Sequence, residues 1–152
     1  VNFTDLLNKF VDFVNNLQHY IPEIQSSNDP NTLAVTTLNR HQNNMNLLFV
    51  DSKTLKARLV LNEKDAAYIK LADDLTFLHD NSFIWSSERD GFNHLYHYDK
   101  TGKLINQITK GNWEVTDFYG YNGQTQTIFY QSTEDGSTNR SIYSIGITGN
   151  NK

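Results

Sequence analysis

Cysteine is absent from the sequence, which removes disulfide bridges, thiol nucleophiles and cysteine metal sites together but identifies no compartment. Proline appears only at Pro22 and Pro30, too rarely for a polyproline spacer or a collagen-like repeat. No run approaches the roughly 18 apolar residues that a membrane-spanning helix needs, and the first residues are not a basic segment followed by an apolar one. Membrane insertion by this segment is not expected. The 13 basic residues are outnumbered by 17 acidic ones and both signs are scattered, so no basic stripe follows a phosphate backbone. Nucleic acid is not an expected partner. Acyl transfer by serine calls for a strained elbow of the Gly-x-Ser-x-Gly kind, and no such pentapeptide occurs. No catalytic residue and no cofactor is assigned.

What is present is 152 residues with a 38% hydrophobic and 12% aromatic content, enough for a globular body. Leu6, Leu7, Phe10, Val14 and Leu17 recur at helical spacing behind Thr4 as a cap and Asp5 in the first turn. This predicts an amphipathic α-helix over residues 4–18. Its polar face carries Asn8, Asn15, Asn16 and a single Lys9, without the basic excess of a membrane-surface helix, so packing on its own domain is expected.

From Tyr20 the period shortens. Tyr20 to Ile24 reads as an edge strand that tolerates Pro22, and Asn28-Asp29-Pro30-Asn31 reads as a turn. Strands are then expected near 33–38, 45–51 and 57–62; near 74–78, 82–87, 93–99 and 103–109; and near 114–121, 125–132 and 140–147. Phe83-Ile84-Trp85 and Ile128-Phe129-Tyr130 are apolar at consecutive positions, the mark of a strand covered on both faces. The many asparagines fall mostly at the proposed turns, where they tolerate left-handed backbone.

The strands repeat as a unit. Leu47 to Asp51, Leu95 to Asp99 and Ile142 to Gly146 share one pattern, with starts separated by 95 − 47 = 48 and 142 − 95 = 47. The turn Lys53-Thr54-Leu55-Lys56 lies 100 − 53 = 47 before Lys100-Thr101-Gly102-Lys103, and Asp90-Gly91 has a counterpart 45 residues on in Asp135-Gly136. A constant offset of this size is what a propeller of four-stranded blades leaves in a sequence. Between Trp85 and Thr101, Asp90-Gly91 is expected to close a two-residue hairpin, with a second turn beginning at Asp99.

Each chemically suggestive residue also has a plainer reading. His94 and His97, three apart on one strand, point to opposite faces and cannot share an ion, so no metal site is assigned. Glu88 and Asp90 could pose as the acid pair of a glycosidase, but with Arg89 in a hairpin turn they are expected to form local ion pairs or hydrogen-bond the turn. Trp85 and Trp113 could stack on sugars, yet each adjoins an apolar run and is expected to pack blade on blade.

The run Phe83-Ile84-Trp85-Ser86-Ser87-Glu88-Arg89-Asp90-Gly91-Phe92-Asn93-His94-Leu95-Tyr96, followed by Ile108-Thr109-Lys110-Gly111-Asn112-Trp113-Glu114-Val115, resembles the N-terminal propeller of dipeptidyl peptidase IV, most closely the enzymes of Bacteroides-type bacteria. Tyr20-Ile21-Pro22, Asn28-Asp29-Pro30 and Leu38-Asn39-Arg40-His41-Gln42-Asn43 fit the same family, so the resemblance covers about residues 20 to 149. Its structural motif comprises Trp85, Glu88, Asp90, Gly91, His94, Tyr96, Gly111 and Trp113. The resemblance implies a propeller covering an α/β-hydrolase domain that bears the Ser, Asp and His of a serine exopeptidase, which releases N-terminal dipeptides after proline or alanine. It also implies a glutamate pair, from an earlier blade, that holds the substrate amine. Neither the hydrolase domain nor that pair has a match here. The loop from Ala67 to Asp73 falls where related enzymes place outer substrate subsites, which makes Tyr68, Lys70 and Asp73 weak substrate-binding candidates. The implied partners are a peptide substrate through the parent enzyme, the remaining blades and the hydrolase domain; the implied location is the periplasm or cell surface.

The expected architecture is all-β: a partial propeller of two to three four-stranded antiparallel blades, spanning about 20–69, 70–110 and 111–152, behind an N-terminal helix at 1–19. The last blade lacks its fourth strand. The chain opens at Val1 without a methionine and stops just after a turn, so a piece of something longer is expected. The expected role is a non-catalytic segment that gates substrate access in the parent peptidase. The alternatives are a stand-alone β domain binding a glycan or a protein partner, and a small hydrolase using Glu88 and Asp90. Open blade faces and strand edges suggest a homodimer of the fragment, or cover from the helix.

Overall fold

The computed structural model describes residues 19–70 and 75–152 together with Asn8 and Asp12. The helix expected over 4–18 therefore lies, apart from those two positions, outside the described residues. The rest is antiparallel sheet in two compact units, Val1–Ile69 and Lys70–Lys152.

In the first unit β1 (His19–Ser26), β2 (Thr32–Asn39), β3 (Asn44–Asp51) and β4 (Ala57–Lys64) form one sheet in chain order. Strand β1 lies at the sheet's edge, and its pairing with β2 slips between Tyr20 and Glu23, where Pro22 has no N–H to give to a ladder. Along β3 burial alternates through Met45, Leu47 and Phe49, the two-residue period of a strand. Asn39 holds the β2–β3 turn by accepting the N–H groups of Asn43 and Asn44 at 3.0 Å each.

The second unit contains two sheets. Strands β5 (Thr76–Phe77), β6 (Phe83–Ser87), β7 (His94–Tyr98) and β8 (Leu104–Gln107) again run in chain order, and β9 (Val115–Asn122), β10 (Thr127–Ser132) and β11 (Ser141–Gly146) form a three-stranded sheet with β10 central. One core joins them: Leu78, Ile84, Leu95 and Ile108 from the first sheet and its flanks meet Val115, Ile128, Tyr130, Ile145 and Ile147. Ile84, Leu95, Ile128 and Tyr130 are wholly excluded from solvent. This shared face is the core between the two sheets, and β6 and β7 bury Phe83, Trp85, Tyr96 and Tyr98 on the other side of their sheet.

The repeat has a structural cause in the turn that leaves the third strand of each sheet. Asp99 N–H donates to the Lys103 carbonyl (2.9 Å) and Gly146 N–H to Asn150 (2.8 Å), with Gly102 and Gly149 left-handed at φ +92° and +84°. The offsets are 146 − 99 = 47 and 150 − 103 = 47. In the first unit Asp51 N–H reaches Lys56 (3.0 Å), one residue further, with Leu55 taking the left-handed position at φ +59°. Asp51 to Asp99 is thus 48 residues and Lys56 to Lys103 is 47. The mixed offsets read from the sequence come from one extra residue in this turn.

Two expectations are corrected. Asp90-Gly91 does not close a two-residue hairpin, because β6 and β7 end their pairing at Ser87 and His94 and are joined by residues 88–93. Gly91 N–H donates to the Glu88 carbonyl at 2.9 Å and Gly91 takes φ +95°, so the glycine ends a β-turn inside a longer loop. Strand β6 is buried throughout, as a doubly covered strand should be. Strand β10 is not: Phe129 is 42% exposed, and with Tyr119 and Ile142 it occupies an outer face that no described residue covers.

Asp29, Asp51, Asp65 and Asp99 all cap turns. Asp51 Oδ1 accepts the N–H groups of Thr54 (2.7 Å) and Lys53 (3.0 Å), and Asp99 Oδ1 accepts the Thr101 hydroxyl (2.6 Å) and the N–H groups of Thr101 and Lys103. These donors hold each carboxyl below the ordinary 3.8: chiefly the Asn31 N–H for Asp29, the Thr54 N–H for Asp51, the Ala67 N–H for Asp65 and the Thr101 hydroxyl for Asp99. A folded-state pKa below the unfolded one stabilises fully above the unfolded value and is lost as pH falls through the folded value. Thermal melting should therefore be flat from about pH 7 to pH 5 and fall progressively below about pH 4. Asp51→Asn with Asp99→Asn should flatten that fall while the fold at neutral pH is kept.

Candidate functional site

The motif residues gather at one end of the second unit, where the β6–β7 loop, the β8–β9 connection and the β10–β11 loop meet. Asn93 exchanges bonds with Val115, its carbonyl accepting the Val115 N–H (2.8 Å) and its side-chain amide donating to the Val115 carbonyl (2.9 Å). Thr133 makes the same kind of pair with Glu114: its N–H donates to the Glu114 carbonyl and its hydroxyl accepts the Glu114 N–H, each at 3.1 Å. The first pair laces one sheet to the next, and the second continues the β9–β10 ladder beyond Ser132.

His94 is the centre of this joint and is fully buried. Its Nε2 lies 3.0 Å from the Gly111 carbonyl, which can only accept, so Nε2 carries the proton. Nδ1 lies 3.1 Å from the Thr109 hydroxyl, whose oxygen accepts the Leu95 N–H at 2.9 Å. The Trp113 indole meets the imidazole edge-on with centroids 5.0 Å apart. Gly111 sits at φ +145°, and a Cβ there would overlap Trp113. The spacing of histidine, threonine, glycine and tryptophan in the sequence is the spacing of this lock.

Trp113 stacks on Tyr130 (6.2 Å) and Tyr130 on Tyr143 (5.7 Å). The Lys152 ammonium lies over Tyr143 (4.3 Å) and Trp113 (5.1 Å) and pairs with Glu134. Burial pushes the Tyr130 hydroxyl up to about 12. On the other face of the first sheet Trp85 lies opposite Tyr96 and Phe83 opposite Tyr98, all buried.

The charged residues of the loop take unexpected partners. The Arg89 guanidinium lies 4.4 Å from the Tyr96 ring centroid, and its Nε donates to Ser87 Oγ (3.0 Å). Asp90 Oδ2 accepts the Gln107 amide from β8 at 2.7 Å. Burial first, and the Asp90 charge second, drive the Tyr96 hydroxyl well above its usual range. Glu88 is exposed, and its carbonyl receives the Gly91 N–H. These cross-strand and ring contacts lie outside the expected local ion pairs or hydrogen bonds to the turn, because they join residues set apart along the sequence.

His97 turns to the opposite face from His94, and its Nε2 is 3.0 Å from Ser82 Oγ. The Ser82 hydroxyl is 2.6 Å from Asp80 Oδ1, where it can only donate. The serine therefore stands between acid and imidazole, its proton committed to the carboxylate, and the arrangement fixes a turn where a triad would free a nucleophile. Of the subsite candidates, Tyr68 is 57% exposed with its N–H on Asp65 Oδ1 (3.1 Å), Lys70 is exposed, and Asp73 lies outside the described residues.

Antiparallel sheets of three or four strands in chain order, two of them packed face on face in the second unit, make this chain a segment of a β-propeller. It belongs to the dipeptidyl peptidase IV (DPP IV) N-terminal region family, whose model matches residues 4–152. Among solved structures, dipeptidyl peptidase 4 of Porphyromonas gingivalis superimposes with a TM-score of 0.81 at 38% identity, over 86% of this chain and 19% of that one. A putative dipeptidyl aminopeptidase IV of Bacteroides ovatus, with a TM-score of 0.76 at 23% identity over 86% of this chain and 21% of that one, shares the fold. A probable dipeptidyl peptidase 4 of Aspergillus flavus is 29% identical over 126 residues, covering 77% of this chain and 16% of that protein. The chain thus spans about a sixth of that relative's length.

The lock is testable. Gly111→Ala should lower stability by about 1–3 kcal/mol through overlap with Trp113, and His94→Ala by about 2–4 kcal/mol through the unpaired Thr109 and Gly111 groups and the cavity left. Both should be read from denaturant unfolding with tryptophan emission. A loss no greater than that of Glu88→Ala, an exposed site, would refute the assignment.

Proposed function

We propose that the chain forms consecutive blades in the propeller of a dipeptidyl peptidase IV-like serine exopeptidase, where it walls the access route and restricts the active site to short peptide ends. The observation that carries this reading is the family match over residues 4–152, joined to the bonds that tie His94 of β7 to the connection leading into the next sheet. A wall that selects by size must not breathe, and the second unit spends its polar side chains on turns and joints: Asp80, Asp90, His94, His97 and Asp99 are each engaged within the fold. Bond cleavage in the full-length enzyme is the work of another domain.

The full-length protein should release N-terminal dipeptides from proline-containing arylamides. His94→Gln, by loosening the joint, should raise cleavage of long peptides relative to dipeptidyl arylamides while arylamide turnover stays within about twofold. An unchanged ratio removes the wall; no dipeptide release from the unmutated enzyme removes the peptidase, and retention of a glycan or protein by the chain alone would then favour a binding domain.

The isolated chain is proposed to form a homodimer. Tyr119, Phe129 and Ile142 are 53%, 42% and 69% exposed on the outer face of the β9–β11 sheet, an apolar surface suited to a second copy. Light scattering should show dimer at rising concentration, and Ile142→Lys should reduce it. A monomer at every concentration overturns this.

A further inference from the structure

A cleft of about 280 Å³ opens between the two sheets of the second unit, at the end opposite the His94 lock. His79 and Asp80 come from the β5–β6 turn, His97 from β7, Tyr121 from β9, and Gly123 and Gln126 from the β9–β10 turn. Leu78 and Ile147 supply apolar lining. The volume suits one small ring, near the lower end of ligand pockets.

Gly123 keeps the cleft open. Its backbone is outside the left-handed region, so nothing in its conformation calls for glycine. A Cβ built there would lie 3.7 Å from the Tyr121 ring and 3.8 Å from the His79 ring, in ordinary contact with both. A longer side chain would start beside both rings, at the lining of the cleft.

The lining decides the ligand class. Among the described residues no lysine or arginine borders the cleft, and Asp80 brings a negative charge, so a phosphate or carboxylate would meet a carboxylate there and no permanent positive charge. Among the described residues no group of three or more His, Cys, Asp and Glu side chains could hold a metal ion. What remains is a partly buried phenol ring beside aliphatic side chains, with a carboxylate, an amide, a serine hydroxyl and two imidazoles around them. A carboxylate and an amide accept and donate to vicinal hydroxyls, while an aromatic ring packs on the C–H face of a pyranose. The geometry points to a binding site for one neutral sugar residue, held on Tyr121 and hydrogen-bonded by Asp80 and Gln126.

The test uses the full-length protein and saturation-transfer NMR with the methyl glycosides of glucose, galactose, mannose and N-acetylglucosamine. At least one should receive saturation, and the 6-phosphate of the best binder should receive less. Gly123→Ala should keep the signal, Gly123→Leu should abolish it, and Tyr121→Ala should weaken binding about tenfold. Melting temperature and arylamide hydrolysis, followed on the same samples, separate a filled cleft from a lost fold; Asp80→Asn, which leaves the turn an oxygen acceptor, gives a second route to weaker binding. No saturation from any glycoside, or an unchanged signal in well-folded Gly123→Leu, overturns the proposal whether or not the enzyme releases dipeptides.

Discussion

A four-stranded antiparallel sheet has two faces and no means of covering either by itself. That constraint explains most of the second unit. Ile84 and Leu95 on one sheet and Ile128, Tyr130 and Ile145 on the next are buried only because the sheets lie against each other. A hydrophobic face alone would let the sheets slide, since burial has no direction. The polar joint supplies the direction, because hydrogen bonds from His94 to Thr109 and Gly111 and from Asn93 to Val115 form at one relative placement.

The joint also explains why its residue types are so particular. Gly111 is required by the backbone angle and by the indole beside it, which leaves no room for a side chain. His94 sets one ring nitrogen against each of two partners in a buried place, which no aliphatic side chain can do. Trp113 then links the histidine to Tyr130, so the polar lock and the apolar core share an aromatic wall.

Much of this was legible in the sequence. Strand positions followed from alternation and turn residues, and the repeat followed from phase: Asp51, Asp99 and Gly146 stand at equivalent corners. Pro22 marked an edge strand because a proline cannot donate to a ladder. The length of the β6–β7 loop was not legible, since Asp-Gly permits a tight turn but does not impose one, and pairing stops at Ser87 and His94. Phe129 was misread because an apolar triplet records what a strand can bury, not what lies on it. Arg89 on Tyr96, Asp90 on Gln107 and the cleft beside Gly123 depend on residues brought together from different strands, which spacing along a chain does not report.

The extra residue between Asp51 and Lys56 bears on how such a module can change in length. An insertion inside a strand would exchange its inward and outward side chains, whereas one placed at a solvent-facing corner leaves the parity of both neighbouring strands intact. Corners are therefore the places where duplicated copies are free to drift apart, and aligned relatives should carry their gaps there. A search for such modules that insists on a rigid period will overlook copies whose folds are equivalent.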